Sequence, residues 1–307
     1  MRKSVQTGLF LGAIFLSGTI LLTGCGDSSG RSYIEAQGSD TMVNMGQSLA
    51  EYYMEEVNQE SSISVSGGGS GTGISAIIND DVDIAQSSRA MTQEEIEDAQ
   101  SRGVEVFEFI VAQDGIAVVV NDENPIEKLS FDELKEIFTG KIQDWSNLGW
   151  EDGGNISIYS RQSSSGTYVF FNENVMDGED FYEDGHFMPG TSAIADSVET
   201  DRDSIGYVGV GYVREGIKPL KISSEEGSTY VTPLEAEKVN TGEYPLARPL
   251  YFYTNGAPEG EVQEYLEWIL SNEGQKIVQE AGFYQITPEH EKINQDIFQE
   301  AEASQNY

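Results

Sequence analysis

The sequence predicts an α/β protein. Short apolar runs with the character of strands alternate with helix-like segments along the whole chain, which is typical of this class. About 280 residues follow an N-terminal apolar segment, enough for one large or two modest domains. There is no internal repeat, and low-complexity sequence is confined to a Gly/Ser stretch near the N-terminus and a polar C-terminal tail.

The individual elements follow from apolar spacing. Strands are predicted over residues 63–66, 82–85, 107–111, 116–121, 156–159, 205–210 and 250–253. The clearest helix covers residues 42–57, where Met42, Met45, Leu49, Tyr53 and Val57 form one apolar stripe. Further helices are predicted over residues 74–78, 93–100, 131–138, 168–175 and 262–280.

The N-terminus has the pattern of a processing segment. A charged start precedes an apolar run over residues 9–22, which is too short to span a bilayer comfortably. The run ends in Leu-Thr-Gly-Cys, which resembles the cleavage and lipid-attachment box of bacterial lipoproteins; the alternative is an ordinary secretory signal with a chance cysteine. We therefore predict a lipoprotein signal peptide over residues 1–24, lipidation (palmitate) of Cys25 and a flexible tether over residues 25–32.

The chain is strongly acidic. It has 17 basic and 53 acidic residues, for a formal net charge of −36. This balance disfavours nucleic acid and anionic lipid as partners. The overall field would also repel a free anion, so an anion site in this chain must work through local dipoles and hydrogen bonds. With a single cysteine, no disulfide can form within the chain.

Four polar turns follow predicted strands, and three of them lead directly into predicted helices. They are 38-GSDT-41, 67-GGGSGTG-73, 87-SSR-89 and 161-RQSSSGT-167. One explanation is helix capping, because small and hydroxylated residues are favoured at helix starts. The other is an anion site formed by helix N-termini, hydroxyls and a guanidinium. Ligands of open α/β sheets bind beyond the carboxyl ends of the strands, so the turns can converge, with Arg161 as the only cation in the three that precede helices.

Catalytic functions are disfavoured by the residues present. A serine nucleophile needs a base, normally histidine, and the only histidines are His186 in an acidic loop and His290 near the tail, both expected at the surface. No metal-binding spacing of His, Cys or carboxylates occurs, and the Gly68-Gly69-Ser70 turn lacks the lysine of a phosphate-loop nucleotide site. We therefore predict binding without catalysis, metal or cofactor.

These motifs together resemble those of the phosphate-binding lipoproteins that deliver phosphate to a bacterial ATP-driven importer. The resemblance covers nearly all of the chain after the signal segment and rests on 38-GSDTM-42, 69-GSGTG-73, 82-VDIAQSSR-89, 114-DGIAVVVN-121, 137-IFTGKIQDWSNLG-149, 161-RQSSSGT-167 and 205-IGY-207. It implies a two-lobed α/β fold of the periplasmic-binding-protein-like type (type II) with crossover hinge strands. Lobe 1 would comprise residues 33–110 and 254–307, and lobe 2 residues 111–253, with hinges near residues 109–115 and 250–254.

The resemblance also implies which residues contact phosphate: Ser39, Asp40, Thr41, Ser70, Ser88, Arg161, Ser165, Gly166 and Thr167. This chain has Ser88 where well-known members have an aspartate that accepts the proton of monohydrogen phosphate. An ionised carboxylate can only accept a hydrogen bond, so it favours an anion that still carries a proton. We expect Asp40 to take this role, with Asp83 and Asp114 as the alternatives; the competing explanation for Asp40 is a plain helix cap.

The predicted function is a solute-binding lipoprotein that captures inorganic phosphate in an interlobe cleft and passes it to the permease subunits of an ABC importer. It would be held on the outer face of the cell membrane by its lipid anchor. Two alternatives remain open: a receptor for another tetrahedral oxyanion such as sulfate or molybdate, and a surface serine hydrolase.

Overall fold

The computed structural model describes residues 33–225 and 227–304. The predicted signal peptide, Cys25 and the tether lie outside these residues. Every helix in the described part of the chain is too short or too polar to cross a membrane.

Strands and helices alternate along the described residues, which confirms the α/β class. The strands are β1 (Tyr33–Gly38), β2 (Ser62–Ser66), β3 (Ile84–Ser87), β4 (Val106–Asn121), β5 (Lys128–Ser130), β6 (Ser157–Arg161), β7 (His186–Met188), β8 (Ser204–Gly209), β9 (Ile217–Pro219), β10 (Lys221–Ser223) and β11 (Ala247–Asn255). The helices are α1 (Val43–Tyr52), α2 (Ser70–Ile78), α3 (Gln93–Ser101), α4 (Phe131–Phe138), α5 (Gly166–Asn174), α6 (Thr191–Thr200), α7 (Ala236–Asn240), α8 (Gly260–Leu270), α9 (Asn272–Glu280) and α10 (Pro288–Ser304).

Nine of these strands form one mixed sheet. Its order is β2-β1-β3-β11-β4-β8-β6-β7, and β9 also pairs with β4. Parallel strands lie on both sides, whereas β11 and β4 are antiparallel to each other and to their neighbours. Residues 106–115 of β4 pair with β11, and residues 116–121 pair with β8 and β9. Strand β4 therefore runs from one half of the sheet into the other, which is the predicted crossover.

An aromatic core fixes α5 on the sheet. Phe171 of α5 stacks on Tyr207 of β8 with ring centroids 4.2 Å apart, and Phe138 of α4 packs on Phe171 at 4.9 Å. All three side chains are buried. Burying each contributes about 1.5–3 kcal/mol. This packing holds Gly166, the first residue of α5, at the carboxyl edge of the sheet beside the end of β6.

Several predicted elements differ from the observed ones. The helix predicted over residues 262–280 is two helices, because Ser271 is extended and caps α9 by accepting a hydrogen bond from the Gly274 amide. The strands predicted over residues 107–111 and 116–121 are both parts of β4. The helix predicted over residues 42–57 is α-helical only to Tyr52 and continues as a π-helix, Tyr53–Val57.

Candidate anion-binding site

Three turns on one half of the sheet bring hydroxyls to a common point. Ser39, Asp40 and Thr41 follow β1, Ser70 begins α2 and Ser88 follows β3. The parallel pairing of β1 with both β2 and β3 brings these turns to the same edge. Gly38 permits the approach, since its φ is +146° and an added Cβ would lie 2.1 Å from the Gln86 carbonyl oxygen. Ser88 donates its amide to Ser70 Oγ at 3.0 Å, and the two hydroxyls are 3.3 Å apart.

The other half of the sheet contributes the end of β6 and the start of α5. Ser165 caps α5, because its Oγ accepts hydrogen bonds from the amides of Thr167 (3.2 Å) and Tyr168 (3.4 Å). Its hydroxyl hydrogen remains free to donate, so the capping and binding explanations are compatible for this residue. Thr167 Oγ1 lies 2.7 Å from Thr41 Oγ1.

Gly166 lies directly against the serines of the other half. An added Cβ at this position would be 2.4 Å from Ser70 Oγ and 2.8 Å from Ser88 Oγ. A further contact joins the same two turns, with the Gly71 amide donating to the Ser164 carbonyl at 3.0 Å. The structure therefore brings together all the predicted contact turns. A side chain larger than that of glycine at position 166 would displace the side chains of Ser70 and Ser88.

Arg161 is 1% exposed and connects three elements. Its Nη1 donates to Thr191 Oγ1 at 2.7 Å, and its Nη2 donates to Asp40 Oδ2 at 2.7 Å and to the Pro189 carbonyl at 3.2 Å. Burial lowers the pKa of Arg161, an effect that Asp40 opposes. A guanidinium beside a carboxylate stays protonated in a protein, so Arg161 remains a cation.

Asp40 does not cap α1. That helix begins after Met42, and its N-cap has no side-chain hydrogen bond, so the capping explanation is wrong. Instead, Asp40 Oδ2 binds Arg161 and Asp40 Oδ1 accepts from the Gly68 amide at 3.1 Å. Tyr212 donates its hydroxyl to the Asp40 carbonyl at 2.8 Å, and burial raises the pKa of Tyr212 to about 12, so it stays a neutral donor.

A second buried arginine, which the sequence analysis did not identify, lies beside the site. Arg248 of β11 is 2% exposed, and its Nη2 donates to Thr167 Oγ1 at 3.0 Å. Its Nε and Nη2 donate to Asp114 Oδ2 of β4 at 3.1 and 2.8 Å. Arg161 is therefore not the only cation near the converging turns, although it is the only one within the three turns that precede helices. Asp114 adjoins the site, whereas Asp83 is exposed and binds the Glu35 amide.

Thr191 was also missed, and it places a further helix N-terminus beside Arg161. It is the first residue of α6 and its Oγ1 lies 3.4 Å from Thr41 Oγ1. The N-cap residues of α2 and α6 are Gly69 and Gly190, which provide no side-chain acceptor for the amides of the first turn. First-turn N–H groups without a side-chain cap are the kind of donor that binds an anion at a helix N-terminus, although in α2 the Gly71 amide already donates to the Ser164 carbonyl.

The arrangement suits an anion. The two arginines are each paired with an aspartate, and Arg161 Nε and Arg248 Nη1 are buried without a hydrogen-bond partner among the described residues. No group of three or more metal-binding side chains occurs in residues 33–225 and 227–304. His186 is exposed and stacks on Tyr159, and His290 is half-buried near the start of α10 rather than fully at the surface.

The crossover fold and the hydroxyl- and arginine-lined site define a two-lobed solute-binding protein. The PBP superfamily domain model matches residues 24–273. The chain belongs to this superfamily and, within it, to the family of the phosphate-binding proteins PstS, which confirms the family resemblance and the predicted two-lobed fold.

The relatives are similar over most of their length. The phosphate-binding protein PstS of Staphylococcus aureus (strain USA300) is 32% identical over 290 residues, which cover 89% of this chain and 86% of the relative. Among solved structures, a phosphate ABC transporter substrate-binding protein from Clostridium perfringens with bound phosphate has a TM-score of 0.72 and 26% identity, covering 83% of this chain and 100% of its own. An ABC-type phosphate transport receptor from Vibrio cholerae has a TM-score of 0.64, 26% identity and the same coverage.

Proposed function

We propose that this protein captures inorganic phosphate between its two lobes and delivers it to the permease subunits of an ABC importer, without catalysis. The observation that carries this proposal is the convergence of Thr41, Ser70 and Ser88 from one half of the sheet on Arg161 and Thr167 from the other, all of them buried. The proposed phosphate contacts are those predicted from the sequence: Ser39, Asp40, Thr41, Ser70, Ser88, Arg161, Ser165, Gly166 and Thr167.

The physical requirement is the desolvation of a dianion. Removing a dianion from water costs a large free energy unless nearly every oxygen lone pair receives a hydrogen bond. Because the ion pairs Arg161–Asp40 and Arg248–Asp114 are each neutral, net charge does not provide the attraction. The donors that remain are the hydroxyls, the free guanidinium N–H groups and those first-turn amides of α2 and α6 that have no protein acceptor, a set that excludes the Gly71 amide.

Selectivity for phosphate needs an acceptor for its proton, and Asp40 is our candidate. The Asp40 carboxylate is 18% exposed, and both its oxygens already accept hydrogen bonds from protein donors. A carboxylate oxygen accommodates more than one donor, so Asp40 can also accept from monohydrogen phosphate. Sulfate has no proton to donate and would meet repulsion there.

Titration calorimetry with phosphate, sulfate and molybdate at two pH values tests the proposal. We expect tight binding of phosphate and much weaker binding of the other two anions. Preferential binding of sulfate or molybdate would establish the alternative oxyanion receptor, and hydrolysis of an ester substrate that depends on a site serine would establish the hydrolase.

We also propose that the protein is extracytoplasmic and anchored by lipid on Cys25 after removal of residues 1–24. The support is the sequence pattern alone. Cys25→Ser should leave phosphate affinity unchanged while it releases the protein from the membrane fraction or blocks processing. A variant that stays membrane-bound and fully processed would contradict the lipid anchor.

The proposed lobes are residues 33–110 with 254–307, and residues 111–253, hinged on β4 and β11. Small-angle scattering should give a smaller radius of gyration with saturating phosphate than without it. An unchanged radius would contradict closure on the ligand.

A further inference from the structure

Arg248 is connected to the proposed phosphate contacts through one hydroxyl. Its Nη2 donates to Thr167 Oγ1 at 3.0 Å, and Thr167 Oγ1 lies 2.7 Å from Thr41 Oγ1. All three side chains are at least 98% buried. Thr41 and Thr167 belong to the two opposing halves of the site, so the chain of contacts runs from the crossover strand β11 to both.

The chemistry of the groups fixes the direction of these hydrogen bonds. A guanidinium has only donors, whereas a threonine hydroxyl has one donor and two acceptor positions. Thr167 Oγ1 must therefore accept from Arg248. Its hydrogen is directed either to Thr41 or into the cleft, and if it is directed into the cleft, Thr41 donates to Thr167. In the second case the Thr167 O–H remains to donate to an anion. In the first case the Thr41 O–H remains, unless it donates to Thr191 Oγ1 at 3.4 Å, which then leaves the Thr191 O–H. The Thr167 lone pair that accepts from Arg248 is not available to a proton of the anion.

Asp114 holds the Arg248 guanidinium in this position. It accepts from both Nε and Nη2 of Arg248 and, through Oδ1, from the Val210 amide at 2.9 Å. Arg248 and Asp114 are also direct partners in the β11–β4 register. The guanidinium carbon of Arg248 lies over the face of the Phe170 ring, 5.6 Å from the ring centroid. The guanidinium is therefore anchored on the strand pair that connects the two halves.

We propose that Arg248 is a positioning residue of the anion site. It orients the Thr167 and Thr41 hydroxyls so that an O–H is left to donate to a tetrahedral oxyanion, and Asp114 holds Arg248 in place. This inference rests on the proposed function and extends it to a residue outside the converging turns. Charged donors polarise hydrogen-bonded chains, so the terminal O–H is a stronger donor than an isolated hydroxyl.

A double-mutant cycle tests the proposal, with inorganic phosphate as the probe and calorimetry on the full chain. Arg248→Met and Thr167→Val should each weaken phosphate binding about 10- to 100-fold, the range for a hydrogen bond to a charged group. Because Arg248 acts through the Thr167 hydroxyl, the double variant should bind no more weakly than the weaker single variant. Multiplicative losses, or no loss in Arg248→Met, would overturn the proposal.

Two further variants separate positioning from folding. Arg248→Met leaves Asp114 buried without its cation, which can destabilise the fold. The double variant Arg248→Met/Asp114→Asn removes both charges and retains an oxygen for the Val210 amide. Adding Thr167→Val to this double variant should cause no further loss of phosphate affinity. Arg102→Met removes an arginine paired with Asp98 at 3.1 Å at the C-terminal end of α3, outside the converging turns, and should leave phosphate affinity unchanged. A wild-type protein that does not bind phosphate would refute the proposed function itself, whereas binding without coupling would refute only the role of Arg248.

Discussion

Asp40→Asn is the substitution that most directly probes selectivity. Asp40 joins the two halves of the site through Arg161, at 2.7 Å, and is the proposed acceptor of the phosphate proton. Asparagine keeps one acceptor oxygen but replaces the other with an NH₂ donor and removes the charge. Sulfate should then gain a donor where it previously met a carboxylate, and phosphate should lose an acceptor for its proton.

The magnitude follows from the two bonds that Asp40 makes. The single acceptor oxygen of asparagine can keep only one of the contacts with Arg161 Nη2 and the Gly68 amide. The other contact, a bond to a charged group that contributes about 1.5–3 kcal/mol, is lost, so the free energy of unfolding should fall by at least about 1.5–3 kcal/mol. At the phosphate proton a charged acceptor is replaced by a neutral one, a difference of about 1–2 kcal/mol, which lowers the phosphate-to-sulfate affinity ratio by roughly 5- to 30-fold.

Competition of sulfate against labelled phosphate measures this ratio. Asp98→Asn is the control, because it makes the same change of charge in the Arg102–Asp98 pair of α3, outside the converging turns, and its ratio should equal that of the wild type. A ratio in Asp40→Asn that also equals the wild-type value would refute the acceptor role of Asp40 and transfer it to Asp114.

Three other substitutions test separate parts of the account. Arg161→Ala removes a donor and leaves Asp40 without its cation, so phosphate affinity measured by calorimetry should fall by about 2–5 kcal/mol; near-wild-type affinity would remove Arg161 from the site. Gly166→Ala places a methyl group 2.4 Å from Ser70 Oγ, so closure should cost about 1–3 kcal/mol of phosphate affinity, and an unchanged dissociation constant would contradict the packing. Burial raises the pKa of Glu108, so the native state keeps this proton to a higher pH than the unfolded chain does. Wild-type stability is therefore lost as the pH rises from the ordinary glutamate pKa of about 4.3 through the raised native value. The melting temperature of Glu108→Gln minus that of the wild type should therefore increase as the pH rises over this interval. A difference in melting temperature that stays constant with pH would contradict the raised pKa of Glu108.

The parts of the structure that sequence could predict depend on local signals. The α4 helix matches its predicted bounds because Ser130 and Glu133 form a capping box at its start. The converging turns were predictable because small and hydroxylated residues mark each strand end, and Arg161 precedes one of the helices. The resemblance to a known family then supplied the two-lobed arrangement.

The residues that sequence reasoning missed depend on contacts between distant segments. Arg248 and Asp114 are 134 positions apart and are brought together only by the β4–β11 register. A usable signal did exist, since each is a charged residue within an otherwise largely apolar strand, and buried charges are paired. Asp40 was open to the capping explanation because its sequence position suits a cap, while its partner Arg161 lies in a different part of the chain.

The central claim is that the cleft holds phosphate, and the anion that the purified protein carries tests it most directly. Wild-type protein should be purified without added phosphate, washed, denatured and analysed by ion chromatography, with Arg161→Ala treated in parallel. We expect phosphate approaching one equivalent per wild-type chain and little in the variant. Sulfate or molybdate in its place, or equal phosphate in both proteins, would contradict it.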